Sequence, residues 1–322
     1  MTYSKDIRCE ALAHGNKKSR YGLRAFLLGI LFATVIFLPF IIYDNGLFLY
    51  YGDFNVQQIP FYQLVHDTIR SGNIGWGHHT DLGANIIGSY SFYLIGSPFF
   101  WLTLPFPSEA VPYLMGPLLI LKTGCMSFTA YIFLRRYTRN KSYAVLGGLL
   151  YAFSGFTCFN IFFNHFHEAM IIFPLLLTAV DEMFENNRRG LVALAVFGSC
   201  LMNYYFFVGQ VVFVIIYWFV KIFAGGYRFK IKNFICLIFE SVIGLLATAV
   251  ITIPAILCIM GNSRIGNTLN GWNALVYDCP QRYLNIFTAY LFPPELPAYP
   301  TFTPDSNTKW GSLAGWLPLF SV

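Results

Sequence analysis

Residues 26–43 read FLLGILFATVIFLPFIIY and contain no charged side chain. A helix rises 1.5 Å per residue, so this run is long enough to cross a hydrocarbon core of roughly 30 Å with little tilt. Four basic residues precede it, and it ends in Ile-Ile-Tyr-Asp rather than in a small-residue cleavage site. The pattern predicts an uncleaved membrane anchor whose N-terminal side, residues 1–25, is basic and cytoplasmic.

The composition extends this conclusion to the whole chain. Of the 322 residues, 56% are hydrophobic and only 11% are charged, which leaves too few polar side chains to cover a water-facing globule. A soluble enzyme, a disordered chain and a coiled coil are therefore excluded. No phosphate-binding loop, dinucleotide fingerprint, zinc-peptidase motif or serine-hydrolase motif occurs, and no nucleic-acid partner is expected.

Further apolar stretches predict additional membrane crossings. They lie at residues 111–134, 143–163, 169–180, 191–220 and 234–260, with a last one opening near Leu313. Sixteen of the 21 lysine and arginine residues fall in clusters between these stretches, and all sixteen can face the cytoplasm at once. They are Lys5, Arg8, Lys17, Lys18, Arg20, Arg24, Arg135, Arg136, Arg139, Lys141, Arg188, Arg189, Lys221, Arg228, Lys230 and Lys232.

If all these basic clusters face the same side, the chain must cross the membrane an even number of times between one cluster and the next. Residues 191–220 are therefore predicted to form a hairpin of two short spans, turning near Asn203-Tyr204-Tyr205 or Gly209-Gln210. Residues 90–106, interrupted by Gly96 and Pro98, are predicted to form an interfacial or re-entrant helix rather than a crossing.

The result is an all-α, polytopic membrane protein with roughly seven spans and a truncated eighth. A single transmembrane domain covers residues 26–322, and its outer face holds two long segments, 44–89 and 261–311. The chain ends inside an apolar run, so we expect a C-terminal part to be missing.

Nine of the 15 acidic residues fall on the predicted outer side. Outer carboxylates are therefore the first place to look for acid/base or metal chemistry, although acidic residues also simply keep loops hydrated. The nine are Asp44, Asp53, Asp67, Asp81, Glu109, Glu168, Asp278, Glu295 and Asp305.

The first outer segment contains the most informative residues. Apolar side chains recur at helical spacing from Ile59 to Ile69, which predicts an amphipathic helix on the membrane surface that ends before Ser71. Asp53 precedes this helix and suits a general base or a metal ligand, or it caps the helix. Gln57 and Gln58 could hydrogen-bond a sugar or merely fill polar positions.

A second group of polar residues follows this helix. His78, His79 and Asp81, with Asp53, are candidate ligands for a divalent cation, the one cofactor considered, or they are ordinary surface residues. Trp76 could stack on a sugar ring or anchor the loop at the lipid headgroups.

These residues carry a resemblance to a known family. Residues 50–102, YYGDFNVQQIPFYQLVHDTIRSGNIGWGHHTDLGANIIGSYSFYLIGSPFFWL, resemble the YfhO-like bacterial membrane proteins of the GT-C class of glycosyltransferases. Residues 134–156 (LRRYTRNKSYAVLGGLLYAFSGF), 164–183 (NHFHEAMIIFPLLLTAVDEM) and 201–221 (LMNYYFFVGQVVFVIIYWFVK) resemble the family in the same order and spacing. The similarity extends from Arg24 to the end of the chain.

The resemblance implies a multi-pass enzyme of the cell membrane. It implies an essential acid in the first outer loop, matched here by Asp53, and a donor sugar carried on a polyprenyl phosphate. It further implies an acceptor of the teichoic-acid type on the outer side of the membrane. Members of the family are longer than this chain, so acceptor recognition stays open.

The residues themselves are compatible with this chemistry. Sugar transfer from a lipid phosphate needs a base for the acceptor hydroxyl and a cation for the departing phosphate. We expect Asp53 to be the base, and Arg264, then Arg282 and Arg70, to bind the phosphate.

The short outer turn after residue 163 supplies further candidates. His165, His167 and Glu168 could face Asp53 there and polarise the acceptor or bind a metal, or they are hydrated turn residues.

Two charges within the spans allow a different class of function. Lys122 and Glu240 could be a structural pair or line a cavity, or they could couple transport in a transporter or lipid-linked sugar flippase. Inverted repeats typical of transporters are not visible. A third alternative is a non-catalytic scaffold for envelope assembly, in which Asp53 would be dispensable.

Overall fold

The computed structural model of the protein describes residues 20–78, 80, 83–227 and 230–261. Within these ranges the chain is helical apart from loops and two paired two-residue strands, β1 (Trp76–Gly77) and β2 (Ala84–Asn85). This confirms the predicted all-α membrane architecture for the described part. The helices are α1 (Tyr21–Tyr43), α2 (Ile59–Arg70), α3 (Ile86–Tyr90), α4 (Pro98–Trp101), α5 (Val111–Leu134), α6 (Lys141–Ala152), α7 (Gly155–Phe159), α8 (Phe166–Asn186), α9 (Leu191–Phe223), α10 (Ile231–Ala247) and α11 (Ala249–Met260).

Four helical segments of the described chain are long and apolar enough to cross a membrane, and a bent helix pair makes a fifth. Helix α8 is 21 residues long but carries four acidic side chains. The predicted count of seven spans and the cytoplasmic N-terminus stay predictions. The predicted eighth span and all of the second outer segment after Gly261 lie outside the described residues. The segments that meet the criterion are Tyr21–Tyr43, Ser108–Leu134, Lys141–Phe163 and Leu191–Phe223, and the pair is Ile231–Ala247 with Ala249–Met260.

Helices α1, α5 and α6 pack closely through small residues. A Cβ atom on Gly29 would lie 3.0 Å from the Cα of Gly124 and equally close to the Cβ of Ser127. A Cβ atom on Gly148 of α6 would lie 2.5 Å from the Ser127 carbonyl oxygen. Small residues let helix backbones approach each other in lipid, where burial of apolar surface does not drive association. This packing fixes α5 at the centre of the three helices.

Helix α9 reverses direction at Asn203, whose backbone angles (φ −160°, ψ 91°) are not helical. The helix begins near the end of α8, and its first arm runs back along α8, so that Gly198 meets Ile172. The second arm returns, and Lys221 lies 3.4 Å from Glu185 near the end of α8. Both ends of α9 therefore lie at the same end of α8, which agrees with the predicted hairpin and with its turn at Asn203.

The crossing predicted at residues 234–260 is not a straight helix, because the chain bends by 76° between α10 and α11. The Thr248 N–H and hydroxyl both donate to the Leu245 carbonyl, which tightens the turn and interrupts the helical bonding. Helix α11 then crosses α3, where a Cβ atom on Gly88 would lie 2.8 Å from the Cβ of Cys258.

The segment predicted at residues 90–106 is broken, as expected, but it begins earlier, with α3 at Ile86. A π-helical turn, Ser91–Ile95, follows α3, and Ser97 then caps the short helix α4. A Cβ atom on Gly96 would lie 1.7 Å from the Leu201 carbonyl oxygen, so only glycine fits this break.

Helix α2 covers the residues that the apolar spacing predicted, and it ends at Arg70. Its apolar face does not lie on a membrane surface, however. Tyr62 and Val65 are buried inside the protein, and the Tyr62 ring packs edge-on against Phe100 with ring centroids 5.4 Å apart. The sequence pattern identified the face correctly, but α4 and α5 rather than lipid cover it.

At the opposite end of the molecule, charged residues from three loops form one network. Asp181 is fully buried and accepts hydrogen bonds from the hydroxyls of Tyr217 (2.8 Å) and Tyr227 (2.5 Å). The three basic clusters predicted to share a side meet here. Their ion pairs are Arg136 with Glu182 and Glu185, Arg188 with Glu182, and Lys221 with Glu185.

Candidate functional site

Two π-helical turns lie side by side at the end of the molecule that carries α2 and α3. Residues Phe54–Gln58 form the first, directly after Asp53, and Ser91–Ile95 form the second. Such turns are rare and occur often at functional sites, because they redirect side chains that a regular helix would point elsewhere. Here they present Gln58 and Tyr93 to the turn that precedes α8.

Asp53 lies at the start of the first of these turns and is half-buried. Its side chain makes no capping hydrogen bond, so the alternative that it caps the following helix is not what the structure shows. Burial, followed by the nearby charge of Asp53, raises the pKa of the Tyr93 hydroxyl. The charge of Asp53 therefore acts on the Tyr93 hydroxyl.

His165 and Gln58 form a buried pair next to Tyr93. The Nδ1 atom of His165 lies 3.1 Å from the Oε1 atom of Gln58, and each residue is only 1% exposed. With that oxygen as the acceptor, the imidazole proton is on Nδ1 and Nε2 is unprotonated. Burial, together with the nearby Lys122 and His167, lowers the pKa of His165 well below its usual range, so the ring is neutral at pH 7.

Aromatic rings surround the His165 imidazole. The ring centroids of Phe166, Phe92 and Tyr93 lie 4.6, 4.9 and 5.0 Å from it. His165 therefore contacts the segment that follows Asp53 through Gln58, and whether it faces Asp53 itself stays a prediction.

Below this pair lies a buried ion pair between Lys122 of α5 and Glu168 of α8. Their N and O atoms are 2.8 Å apart. The Ser97 hydroxyl donates to the same carboxylate oxygen at 2.6 Å, and the Lys122 ammonium also donates to the side chain of Asn164 at 3.0 Å. The ion pair thus joins α5 and the cap of α4 to the turn that carries His165.

This arrangement corrects two predictions. Glu168 is fully buried and does not lie in a hydrated turn, because the first turn of α8 is drawn inward to meet Lys122. Lys122 and Glu240 are not partners: the Glu240 carboxylate instead accepts the Val192 N–H at 3.2 Å. A charge in an apolar interior needs a close counter-charge or hydrogen bond, and each of the two finds a different one.

His167, the second predicted catalytic histidine, has a structural contact. Its Nε2 atom donates to the Thr157 carbonyl at 2.8 Å and the ring is fully buried. This bond holds α7 against α8.

The remaining predicted residues of the first outer segment lie on its exposed side. Arg70 is exposed and donates to the Phe106 carbonyl at 2.8 Å, so its guanidinium is partly engaged. Trp76 is 55% exposed, and its indole covers Gly83. Gln57 is half-buried and His78 is exposed. None of these contacts tests their predicted roles.

No three histidine, cysteine, aspartate or glutamate side chains among the described residues could hold a metal ion together. Four predicted ligands or phosphate contacts lie outside the described residues: His79, Asp81, Arg264 and Arg282.

Sequence reasoning missed five residues of this site: Tyr93, Ser97, Asn164, Asn203 and Gln210. Only Ser97 carried a usable signal, since a serine directly before a proline is a typical helix N-cap. Tyr93, Asn164 and Gln210 become significant only through their partners on distant parts of the chain, and Asn203 only through its place at the turn of α9.

The fold and this site define a multi-pass α-helical membrane protein with a polar interior at one end. A family model described as bacterial membrane protein YfhO matches residues 25–287, which is most of the chain. The protein therefore belongs to the YfhO family, as its sequence resemblance indicated. The family is associated with glycosyltransferase-like membrane proteins. Comparisons with curated proteins and with solved structures found no significant match.

Proposed function

We propose that the protein is a membrane glycosyltransferase of the GT-C type. Its reaction moves a sugar from a polyprenyl-phosphate carrier to a hydroxyl of a cell-envelope polymer of the teichoic-acid type, on the outer face of the cell membrane. The family supports the class of reaction. The choice of donor and acceptor rests on the resemblance described above.

The observation that carries this proposal is the state of Asp53. Its carboxylate is half-buried and makes no capping bond, and its charge acts on Tyr93, whose ring contacts the neutral His165. A general base must be within hydrogen-bond reach of the proton it removes and must not be consumed by a structural role. The Asp53 carboxylate is free of a structural role, and its partial exposure allows a substrate hydroxyl to come within hydrogen-bond reach.

In the proposed reaction, Asp53 accepts the proton of the acceptor hydroxyl while that oxygen attacks the anomeric carbon of the donor sugar. The bond between this carbon and the phosphate oxygen breaks, and both of its electrons leave with the polyprenyl phosphate. Attack comes from the face opposite the leaving group, so the anomeric configuration is inverted. No nucleotide and no redox partner is required.

A cation is needed to stabilise the departing phosphate. Lys122 is unsuited to this task, because Glu168 neutralises it inside the protein. Arg70 is exposed at the same end of the molecule, and Arg264 and Arg282 remain proposals for this role.

The proposal is tested by reconstituting the full chain in liposomes with a labelled polyprenyl-phosphate sugar and envelope polymer. We expect the wild type to label the polymer and Asp53→Asn not to. Asp44→Asn is the matched control, because Asp44 is another half-buried carboxylate at the end of α1. Labelling by Asp53→Asn at the wild-type level would contradict the proposal.

The arrangement of charges that suggested a transporter is not present in the structure. A coupling site was expected from Lys122 and Glu240, but Lys122 pairs with Glu168 and Glu240 binds a backbone N–H. The glycosyltransferase proposal is therefore preferred.

A further inference from the structure

Besides His167 and Glu168, four buried polar side chains at the Asp53 end of the molecule share an unusual property. In each, one polar atom is bonded to the protein while the atom across the same group has no partner among the described residues. Buried polar atoms are nearly always paired in folded proteins, so a group of unpaired ones requires a reason. The four unpaired atoms are Gln58 Nε2, His165 Nε2, Asn203 Nδ2 and Gln210 Oε1.

For the two amides on α9, the bond on the other side of the group fixes which atom is left. The Asn203 Oδ1 atom accepts the Phe206 N–H at 3.2 Å, so its amide nitrogen is the free atom. The Gln210 amide nitrogen donates to the Ala169 carbonyl at 3.2 Å, so its oxygen is the free atom. Exchanging the nitrogen and oxygen of either amide would lose these bonds.

These side chains belong to one region of the fold. Asn203 and Gln210 are seven residues apart on the second arm of α9, and Phe206 between them contacts Phe166 of α8 with ring centroids 4.7 Å apart. His165 directly precedes Phe166. The Phe92 ring bridges the two sides, since it lies 4.9 Å from the His165 ring and 5.7 Å from the Tyr204 ring.

The region offers hydrogen bonds of both kinds and no net charge. The free Asn203 nitrogen is a donor and the free Gln210 oxygen is an acceptor, and the Gln58–His165 pair leaves one donor and one acceptor in either orientation of its amide. The nearest charges, Lys122 and Glu168, neutralise each other. Such a site disfavours a phosphate or a carboxylate and suits a ligand with several hydroxyl groups, each of which can donate and accept.

We propose that Gln58, His165, Asn203 and Gln210 form a subsite for the neutral ring of a sugar, beside Asp53 and bordered by Phe92 and Phe166. The choice of a sugar rests on the proposed glycosyl transfer. The subsite orients the ring, and Asp53 acts on the reacting hydroxyl at its edge. Glycosyl specificity then resides in amide and imidazole groups carried by the first π-helical turn and the α9 hairpin.

Substitution of these side chains should affect both stability and binding. Replacing Gln58 or Gln210 by the apolar methionine of similar shape removes its free polar atom together with its bond to His165 or Ala169, so thermal stability should fall modestly, by the effect of one hydrogen bond. The same replacement should weaken sugar binding by roughly fivefold or more, the effect of one lost hydrogen bond.

The experiment uses the full chain in nanodiscs and saturation-transfer NMR with the methyl glycosides of glucose, galactose and N-acetylglucosamine. We expect at least one glycoside to bind the wild type, and Gln58→Met and Gln210→Met to bind it more weakly while each remains folded, with a single cooperative melting transition above the assay temperature. Gln63→Met is the matched control, because Gln63 is a half-buried glutamine of α2 that donates to Ser108. It should bind the glycoside as the wild type does.

Three results would overturn the subsite: no glycoside binds the wild type, both variants bind it as the wild type does, or Gln63→Met loses binding to the same extent as they do. The first two would leave water as the partner of these atoms. Asp53→Asn separates the two proposals, since it should bind the glycoside normally and transfer no sugar. If the wild type binds a glycoside but never transfers sugar, the proposed function fails and the subsite stands.

Discussion

The Lys122 ammonium lies 2.8 Å from the Glu168 carboxylate, and the two side chains are 1% and 0% exposed. The ion pair holds together three parts of the chain that are far apart in sequence: the centre of α5, the cap of α4 and the turn that carries His165. We interpret it as the support on which the candidate site is built.

The first prediction concerns this ion pair. Lys122→Met and Glu168→Gln should each destabilise the protein by about 3–5 kcal/mol, because each leaves a buried charge without its partner. The double variant should be destabilised by less than the sum of the two. Thermal unfolding of the four proteins in one detergent measures the coupling. Strictly additive losses would show that the two charges do not interact.

The second prediction concerns the break between α3 and α4. Gly96→Ala should destabilise the protein, because the new methyl group would lie 1.7 Å from the Leu201 carbonyl and must push the α9 hairpin away. Gly209→Ala is the control, since a Cβ atom there meets nothing within 4 Å. The melting temperature of Gly96→Ala should fall while that of Gly209→Ala does not. Equal behaviour of the two variants would contradict the close approach.

The third prediction concerns the pH dependence of sugar transfer. Because the pKa of His165 lies well below its usual range, the ring stays neutral as the pH falls from 7 through about 6.5, the ordinary histidine value. We expect the transfer rate of the wild type to show no step near pH 6.5. In this pH range its profile should therefore have the same shape as that of His165→Gln. A pH–rate profile of both proteins provides the measurement. A step near pH 6.5 present only in the wild type would show that His165 titrates normally.

The fourth prediction concerns stability in acid. Although burial acts to raise it, the Arg136 guanidinium and the Asn186 amide lower the pKa of Glu182 below its ordinary value. A lowered pKa in the folded state adds stability that is complete above the unfolded pKa, about 4.3, and is lost as the pH falls through the folded value.

We therefore expect the wild type to lose stability below about pH 4.3 faster than Glu182→Gln, whose amide does not titrate. Melting temperatures from neutral pH downward compare the two. Parallel curves would show that Glu182 is not held by Arg136.

Much of the topology could be predicted from the sequence, because charges in a membrane protein sort by side. The hairpin in α9 followed from the positions of Lys221 and the arginines near residue 188, and the structure turns at Asn203, the first of the two turn positions predicted. The bend at Thr248 was missed, since hydropathy alone cannot distinguish a straight apolar helix from one that turns at a threonine.

The candidate site could be predicted only in part. Asp53 and Gln58 were identified from their place after the first span, and His165 from its place in a short turn. The partner of Lys122 was not, because Glu168 is 46 residues away and its burial depends on the tertiary position of α8. The two π-helical turns likewise have no sequence pattern that a regular helix would lack.

The most direct test of the account is the rate of sugar transfer in Asp53→Asn when donor and acceptor are both saturating. If Asp53 is the general base, we expect this rate to fall by about 10²–10⁴-fold, while Asp44→Asn, with the same loss of charge at the same end of the molecule, keeps the wild-type rate. Equal rates for Asp53→Asn and the wild type would contradict the assignment of Asp53 as the base.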